Sequence, residues 1–388
     1  MLDYIKVDIS KLKDIASKIN IAVEKNKLNP KAGWIELETV SSESMTLKVS
    51  NFDYYLEVTI PISCDNYNEN NKVHATITAD TFIPLVSKLD DNFVYISERF
   101  NSLIFTTDSN EYTFPIIKEA GKVKAVDIIK VGNNYNTFNM KGYNLSSIST
   151  INVKGLLDSL FSKEIQQYIY IDNIGAITFT ENIYINDFKD KLDEEFKFLL
   201  NASQAKLLKI FDSFEDTIIN IEKSNSYESS FKVNIIAKSD YMLNLVFIVQ
   251  SQQMTDKFPC IRLRSLTNAV SNTHIFVDKK KFEKALQRLM VFDKKWDITD
   301  MSYSKIIFSN SSMKLVSIKN KNYEIIDYIK YENTIEHESI IRFADLMNQV
   351  KAAQGKELDI SYGDSPAIVI NSFGLKQLIP EIQVVGRV

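Results

Sequence analysis

The 388-residue sequence has little of what most enzyme chemistry needs. Its ten glycines are far apart, the closest pair being Gly355 and Gly363. Neither a dinucleotide-binding G-x-G-x-x-G nor a phosphate-cradling G-x-x-x-x-G-K-[ST] loop can therefore be written anywhere. Three histidines are present, His74, His274 and His337, and none has a second histidine or a cysteine at ligand spacing, so no metal site is legible. Two isolated cysteines, Cys64 and Cys260, argue against a disulfide scaffold and for a reducing compartment, so a cytoplasmic location is expected. No apolar run reaches about 18 residues, and Met1-Leu2-Asp3-Tyr4-Ile5-Lys6 is too charged to open a secretory signal, so no membrane partner is expected. Ser10-x-x-Lys13 has the form of a serine–lysine nucleophile, but at the start of an amphipathic stretch it reads as a helix cap beside a solvated lysine. Carboxylate pairs such as Glu194-Glu195 and Asp90-Asp91 fall in charged, loop-like stretches. The expectation is a non-enzyme: no catalytic residues, no metal and no cofactor.

What is present is repetition. Apolar residues make up 45% and charged residues 25% of the chain, the balance of a globular protein, and the length allows two or three domains. Helical periodicity starts near Asp8, Lys141 and Asp278, positions 133 and 137 residues apart. A second series of helices is expected over Thr78–Val86, Asn201–Leu208 and Arg342–Val350. Each of these leads into a strand pair with alternating apolar residues: Phe93–Ser97 with Leu103–Thr107, Thr217–Glu222 with Phe231–Ala237, and Leu358–Tyr362 with Ala367–Asn371. The pattern predicts an α+β fold of three similar modules, at 1–125, 135–268 and 272–388. Connectors are expected from Glu119 to about Tyr135 and from Ser265 to Asn272, with polar loop tips at Asn66–Asn71 and Lys319–Asn322. A tandem array of this kind builds an extended or circular surface rather than a single pocket.

Net charge is −4, which argues against an indiscriminate nucleic-acid binder, but the total does not say where the cations sit. In the first helix Ile9, Leu12, Ile15, Ala16, Ile19 and Val23 form an apolar stripe, while Lys11, Lys18 and Lys25 recur every seven residues on another face. In the helix from Asp278, Phe282, Ala285, Leu286 and Leu289 point to a core, and Lys281, Lys284 and Arg288 share a neighbouring stripe. Lys206 and Lys209, Lys88 and Lys351 add basic positions in the second series. A lysine stripe is commonly just a solvated face, but recurrence in equivalent helices favours a shared role.

Three short segments carry a resemblance. Lys257-Phe258-Pro259-Cys260-Ile261-Arg262-Leu263-Arg264 resembles the Phe-Pro-x-Tyr-Arg stretch that closes the second module of bacterial DNA polymerase sliding clamps, the β clamps. Arg387-Val388 resembles that family's terminal Arg-Leu, and Glu164-Ile165-Gln166-Gln167-Tyr168-Ile169 its Asp-Val-Arg-Tyr-Tyr-Leu. The resemblance covers essentially the whole chain in module order and implies a divergent clamp of the kind a phage encodes. It implies the DNA-clamp fold: a ring-shaped homodimer of six modules, helices lining a central hole and antiparallel sheets outside. Duplex DNA would be held topologically and without sequence preference, and DNA polymerase and clamp loader would dock through short apolar peptides. Acidic charge and DNA binding are then compatible, because the lysines face phosphates and the acids face outward.

Residues follow by the same resemblance. DNA contacts are expected from Lys25 and Lys27 after the first helix and from Lys163, Gln167 and Tyr168, beside Lys11, Lys18, Lys206, Lys209, Lys281, Lys284 and Arg288 on the helices. The partner-peptide pocket is expected at Ile169, Thr180, Ile185, Pro259, Leu263 and Ile368 with the tail Val384, Val385, Gly386, Arg387 and Val388. The subunit interface is expected to join Tyr112 and Phe114 to Val291 and Phe292, residues that read equally well as core. The chain departs from the family where Thr-Asp-Gly-His-Arg-Leu becomes Thr180-Glu181-Asn182-Ile183-Tyr184-Ile185 and where Met-Pro-Met-Arg-Leu becomes Val384–Val388, so a different peptide specificity is expected. The alternative from another class is a β-rich repeat protein of a virion or adhesion type, which predicts no DNA association.

Overall fold

All six helices expected from periodicity form, and the residue before several of them explains why they start there. The computed structural model describes the chain except residues 1–3, 25–28, 65–71, 156–163, 181, 225, 269–272, 293–302, 310, 318–321, 328, 331–335, 354, 364 and 382–388. The helices in chain order are α1 (Ile9–Ala22), α2 (Ala79–Ser87), α3 (Gly142–Gly155), α4 (Ala202–Leu207), α5 (Gln252–Asp256), α6 (Cys260–Asn268), α7 (Lys279–Phe292) and α8 (Phe343–Ala352). Asp8 caps α1 by accepting from the Lys11 amide at 3.1 Å, and the Ser10 hydroxyl donates to the same carboxylate at 2.7 Å. That bond takes Ser10 into the cap. Asp278 caps α7 in the same way, accepting from the Lys281 amide at 2.8 Å. Asn201 and Gln204 form a reciprocal capping box at α4, each side chain accepting from the other's amide.

The chain gathers into two compact units, residues 1–146 with 206–252 and residues 147–205 with 253–388. In the first unit an eight-stranded antiparallel sheet runs Tyr135–Lys141, Asp216–Glu222, Phe231–Lys238, Met242–Val249, Tyr54–Pro61, Ser44–Ser50, Trp34–Ser41, His74–Thr78. Its central seam pairs Leu245 with Leu56 and Phe247 with Tyr54, strands almost two hundred positions apart in sequence. A five-stranded sheet with Glu111–Pro115 at one edge completes this unit's main sheets. The apolar stripe of α1 is buried, Leu12, Ile15 and Ile19 being fully enclosed, each worth roughly 1.5–3 kcal/mol. The start of α3 is pinned by Gly142. A Cβ there would sit 2.2 Å from the Phe214 carbonyl oxygen and 2.5 Å from that of Phe211, backbone atoms that cannot give way.

The second unit holds a nine-stranded antiparallel sheet: Lys197–Asn201, Tyr168–Asp172, Gly175–Phe179, Ile183–Asp187, Leu375–Pro380, Ala367–Ser372, Glu357–Tyr362, Thr273–Asp278, Ile329–Lys330. Here the seam is Ile183 against Leu378 and Ile185 against Lys376. A four-stranded sheet with Tyr323–Asp327 at one edge lies in the same unit, and α7 and α8 pack over a core of Ile275, Val277, Phe282, Leu286, Leu346 and Ile360.

Both connectors differ from simple links. After a small hairpin, Lys118–Glu119 with Lys122–Val123, residues Val126, Ile129 and Val131 pack with Trp34, Tyr55 and Val246 in the first unit. The Val126 amide donates to Glu36 Oε2 at 2.8 Å. Glu36 is buried and also meets Lys48 Nζ and His74 Nε2, each at 3.3 Å, while Lys48 bonds Glu38 as well. Burial of Glu36 is outweighed by these hydrogen bonds, so its carboxyl titrates below the usual range, and the Glu36 bond holds the His74 pKa above its ordinary value. The second expected connector begins inside a helix, since Ser265–Asn268 is the last turn of α6, whose Thr267 hydroxyl bonds back to the Leu263 carbonyl. The loop tip 66–71 lies outside the described residues, as does 319–321.

Candidate nucleic-acid and partner interfaces

The lysine stripes that look alike in sequence are not alike in space. In the first unit Lys18 is only 7% exposed: its Nζ donates to Ser213 Oγ at 2.9 Å and to the Ile210 carbonyl at 3.3 Å, lies 3.7 Å from Asp14 Oδ1, and faces the Phe214 ring. Asp14 in turn accepts from the Tyr241 hydroxyl at 2.5 Å. Lys18 is thus a structural cation, and the expectation that it joins Lys11 on a free face is corrected: helical spacing fixed its angle but could not show that the turn after α4 lies against it. Lys11 is half-buried and 3.8 Å from Asp240. Lys206 and Lys209 stand exposed, with no ion pair among the described residues. Lys25, Lys27 and Lys163 lie outside the described residues.

In the second unit α7 presents Lys281 and Lys284 in the open, together with Lys280, which the stripe argument missed because it sits off the i, i+3, i+7 line. These cations crowd the N-terminal half of a helix, where the macrodipole already disfavours positive charge, so the arrangement gains only if an anion arrives. Arg288 is exposed but engaged. Its Nε and Nη2 fork onto the two carboxylate oxygens of Glu324 at 2.8 and 2.7 Å, which raises the arginine pKa and lowers that of Glu324. Gln167 is exposed at the end of the short turn Glu164–Gln167, whereas Tyr168 is half-buried and packs against the apolar cluster described next.

That cluster brings together two of the residues expected at the pocket, Ile185 and Leu263. Tyr170, Ile177, Ile183, Ile185, Val369 and Leu378 share one face of the nine-stranded sheet, and Phe258 and Leu263 cover them from the segment around α6. Phe258 stacks on Tyr170 at 5.0 Å and meets Phe179 edge-on at 5.4 Å. Pro259 and Thr180 are half-buried. Two expected members are corrected. Ile368 belongs to the α7 and α8 core, because it alternates with Ala367 and Val369 and faces the other side of its strand. Ile169 is fully buried, but it alternates with Tyr170 and so faces away from the cluster. Val384, Val385, Gly386, Arg387 and Val388 lie outside the described residues. Arg264 anchors α6 through Asp172, at 2.9 and 3.1 Å, and Asp187, at 3.4 Å.

At the expected subunit interface, Phe114 is 4% exposed and meets Phe82 and Phe105 in edge-on and tilted ring contacts, so it is a core residue of its own unit. Tyr112 is half-buried, and Val291 is 53% exposed near the end of α7. The Phe292 side chain is outside the described set. Tyr323 and Ile325 stand exposed on an edge strand, a signal that alternation alone could have found in the sequence.

His274 has a serine and an aspartate in reach, but Ser361 Oγ at 3.1 Å and Asp359 Oδ1 at 3.0 Å both meet Nδ1. A serine-activating relay needs them on opposite ring nitrogens, so this trio is not one. Among the described residues no cluster of three or more metal-ligating side chains occurs, and no helix is long and apolar enough to cross a membrane.

Repeated helix-plus-strand segments joined into long antiparallel sheets define a class, the DNA-clamp fold. The same fold is found in solved bacterial clamps along the whole chain. The DNA polymerase III β subunit of Thermotoga maritima superposes with a TM-score of 0.76 at 14% identity, covering 99% of this chain and 100% of that one. The sliding clamp of Bacillus subtilis gives 0.69 at 13%, with 99% and 100% covered. The Helicobacter pylori β clamp, solved with a DNA ligase peptide, gives 0.66 at 12%, with 98% and 100% covered. No protein-family model matches the sequence, and no curated protein matches it significantly.

Proposed function

We propose that this protein is a divergent sliding clamp, a homodimeric ring of six modules that encircles duplex DNA in the cytoplasm, tethers the replicative polymerase and catalyses no reaction itself. The observation that carries this reading is the end-to-end agreement with bacterial clamps, 98–99% of the chain, in a protein whose α7 crowds lysines at a helix N-terminus. Lys206, Lys209, Lys281 and Lys284 are the cations assigned to phosphates, with Lys280 added, Lys11 and Gln167 in support, and Lys25, Lys27 and Lys163 kept from the family resemblance. Weak, exchangeable phosphate contacts suit sliding, since base readout would stop it. The modules are assigned to residues 1–125, 135–268 and 272–388.

Partner peptides are assigned to the apolar cluster around Ile185 and Leu263, with Thr180, Pro259 and the 384–388 tail at its margin. An apolar peptide side chain entering there would displace or stack on Phe258. Ring closure is assigned to the edge strand Glu111–Pro115 of one subunit against the edge strand Tyr323–Asp327 of another, with Tyr112 and Val291 flanking. The test is retention on DNA after loading. The protein should stay on closed circular DNA and be lost once the circle is linearised. Equal retention on both forms would refute topological binding and with it the clamp.

A further inference from the structure

The nine-stranded sheet of the second unit is covered unevenly. One face packs under α7 and α8. On the other, Phe258 and Leu263 cover the side chains around Ile185 and Val369, but the apolar cluster does not extend to the strands Thr273–Asp278 and Glu357–Tyr362. What remains is an open groove of about 1130 Å³, lined among others by Phe276, Asp278, Glu357, Asp359, Asn371 and Phe373.

Phe373 is 83% exposed, and it is not loosely placed. It and Gly374 form the two-residue turn between Ala367–Ser372 and Leu375–Pro380, with φ of +46° and +87°. Asparagine, aspartate or glycine normally takes the first such position, so a phenylalanine there is strained. Its ring lies on Gly355, where an added Cβ would be 2.2 Å from the ring. An exposed aromatic side chain that is strained at its backbone and seated on a glycine is preorganised to bind.

The charge of the groove says what it would bind. Asp278, Glu357 and Asp359 outnumber Lys356 and Lys376, and Lys376 is drawn to Asp187 at 3.0 Å. Asn371 donates to Asp359 at 3.2 Å and so holds that carboxylate at the groove.

We propose that this groove docks a cationic peptide segment of a partner protein, an arginine or lysine lying on the Phe373 ring and neutralised by Glu357 and Asp359. The site uses neither the lysines of α7 nor the cluster around Leu263, so it stands or falls independently of the clamp reading. The test is fluorescence anisotropy of the full chain with a labelled Arg-Lys-Arg-Lys-Arg-Lys peptide. Phe373→Asn and Glu357→Gln should each weaken binding by about tenfold or more. Phe373→Asn should melt no lower than wild type, because asparagine suits the left-handed turn, which separates recognition from folding. The proposal is overturned if the wild type does not bind the peptide, if Phe373→Asn binds it equally, or if a Glu-only peptide of the same length binds as well. It is also overturned if Phe373→Asn alone converts a larger assembly to a smaller one in sedimentation, for then the groove belongs to a second copy of this chain.

Discussion

Helices α1 and α7 occupy the same place in the repeat, carry the same apolar spacing and each carry a basic stripe, yet they use their cations in opposite ways. In α1 the lysine at the middle of the stripe is consumed: Lys18 is enclosed by Asp14, Ser213, the Ile210 carbonyl and Phe214. In α7 the carboxylate of Glu324 takes only Arg288 and leaves Lys280, Lys281 and Lys284 to solvent. A lysine's helical phase tells where it points, and only the neighbouring chain tells whether the charge is spent. The cations proposed to meet phosphates are those the fold leaves without a carboxylate.

Substitutions on the two helices should therefore separate cleanly. The largest effect is expected from reversing Lys281 and Lys284 to Glu. DNA affinity should fall by about 100-fold and the slope of log affinity against log salt should flatten by about two, with the melting temperature unchanged. A reversed protein that loads normally would remove α7 from the DNA surface. Next comes Lys18→Met, which leaves the buried Ile210 carbonyl without its lysine donor and removes the cation from the exposed Ser213 and Asp14. It should lower stability by roughly 1–3 kcal/mol in denaturant titrations. Its DNA retention should stay intact at temperatures where it is folded, and loss of DNA binding without loss of stability would put Lys18 back among the phosphate contacts.

The smallest effect concerns a third kind of cation, one that comes and goes with pH. His74 has a raised folded pKa through Glu36, so its contribution is complete below its ordinary value of 6.5 and is lost as pH rises through the folded value. Glu36 has a lowered pKa, so its contribution is present above the ordinary 4.5 and is lost as pH falls through the folded value. The network should hold best between those limits. The His74 part is under about 1 kcal/mol because the ring is half in water. In pH-dependent melting, His74→Gln should flatten the decline above neutrality, and an unchanged decline would assign it to another group.

Much of the fold was legible because it is written in local periods. Asp8 and Asp278 cap helices where the pattern began, and the strand pairs after α2, α4 and α8 fall within a residue or two of the alternating runs. What was not legible is pairing at a distance. Nothing in Met242–Val249 indicates that its partner is Tyr54–Pro61, since an apolar strand face fits many others. The errors in the candidate site have the same origin. Alternation shows that Ile368 and Val369 face opposite ways, but not that α7 and α8 lie over one and Phe258 over the other. Phe114 reads as core or as interface until Phe82 and Phe105 are seen around it.

The two long sheets also set an order of events at the ribosome. The eight-stranded sheet cannot close until residue 249 has emerged, by which time residues 147–205 have been made and still lack their strand partner. The nine-stranded sheet waits for Leu375–Pro380, the last of the described strands, to bridge its two halves. A nascent chain stalled before residue 375 would therefore expose the open edge of Ile183–Asp187, a template for joining with another incomplete chain. The period of greatest risk falls within translation, and pairing of Leu375–Pro380 with Ile183–Asp187 ends it.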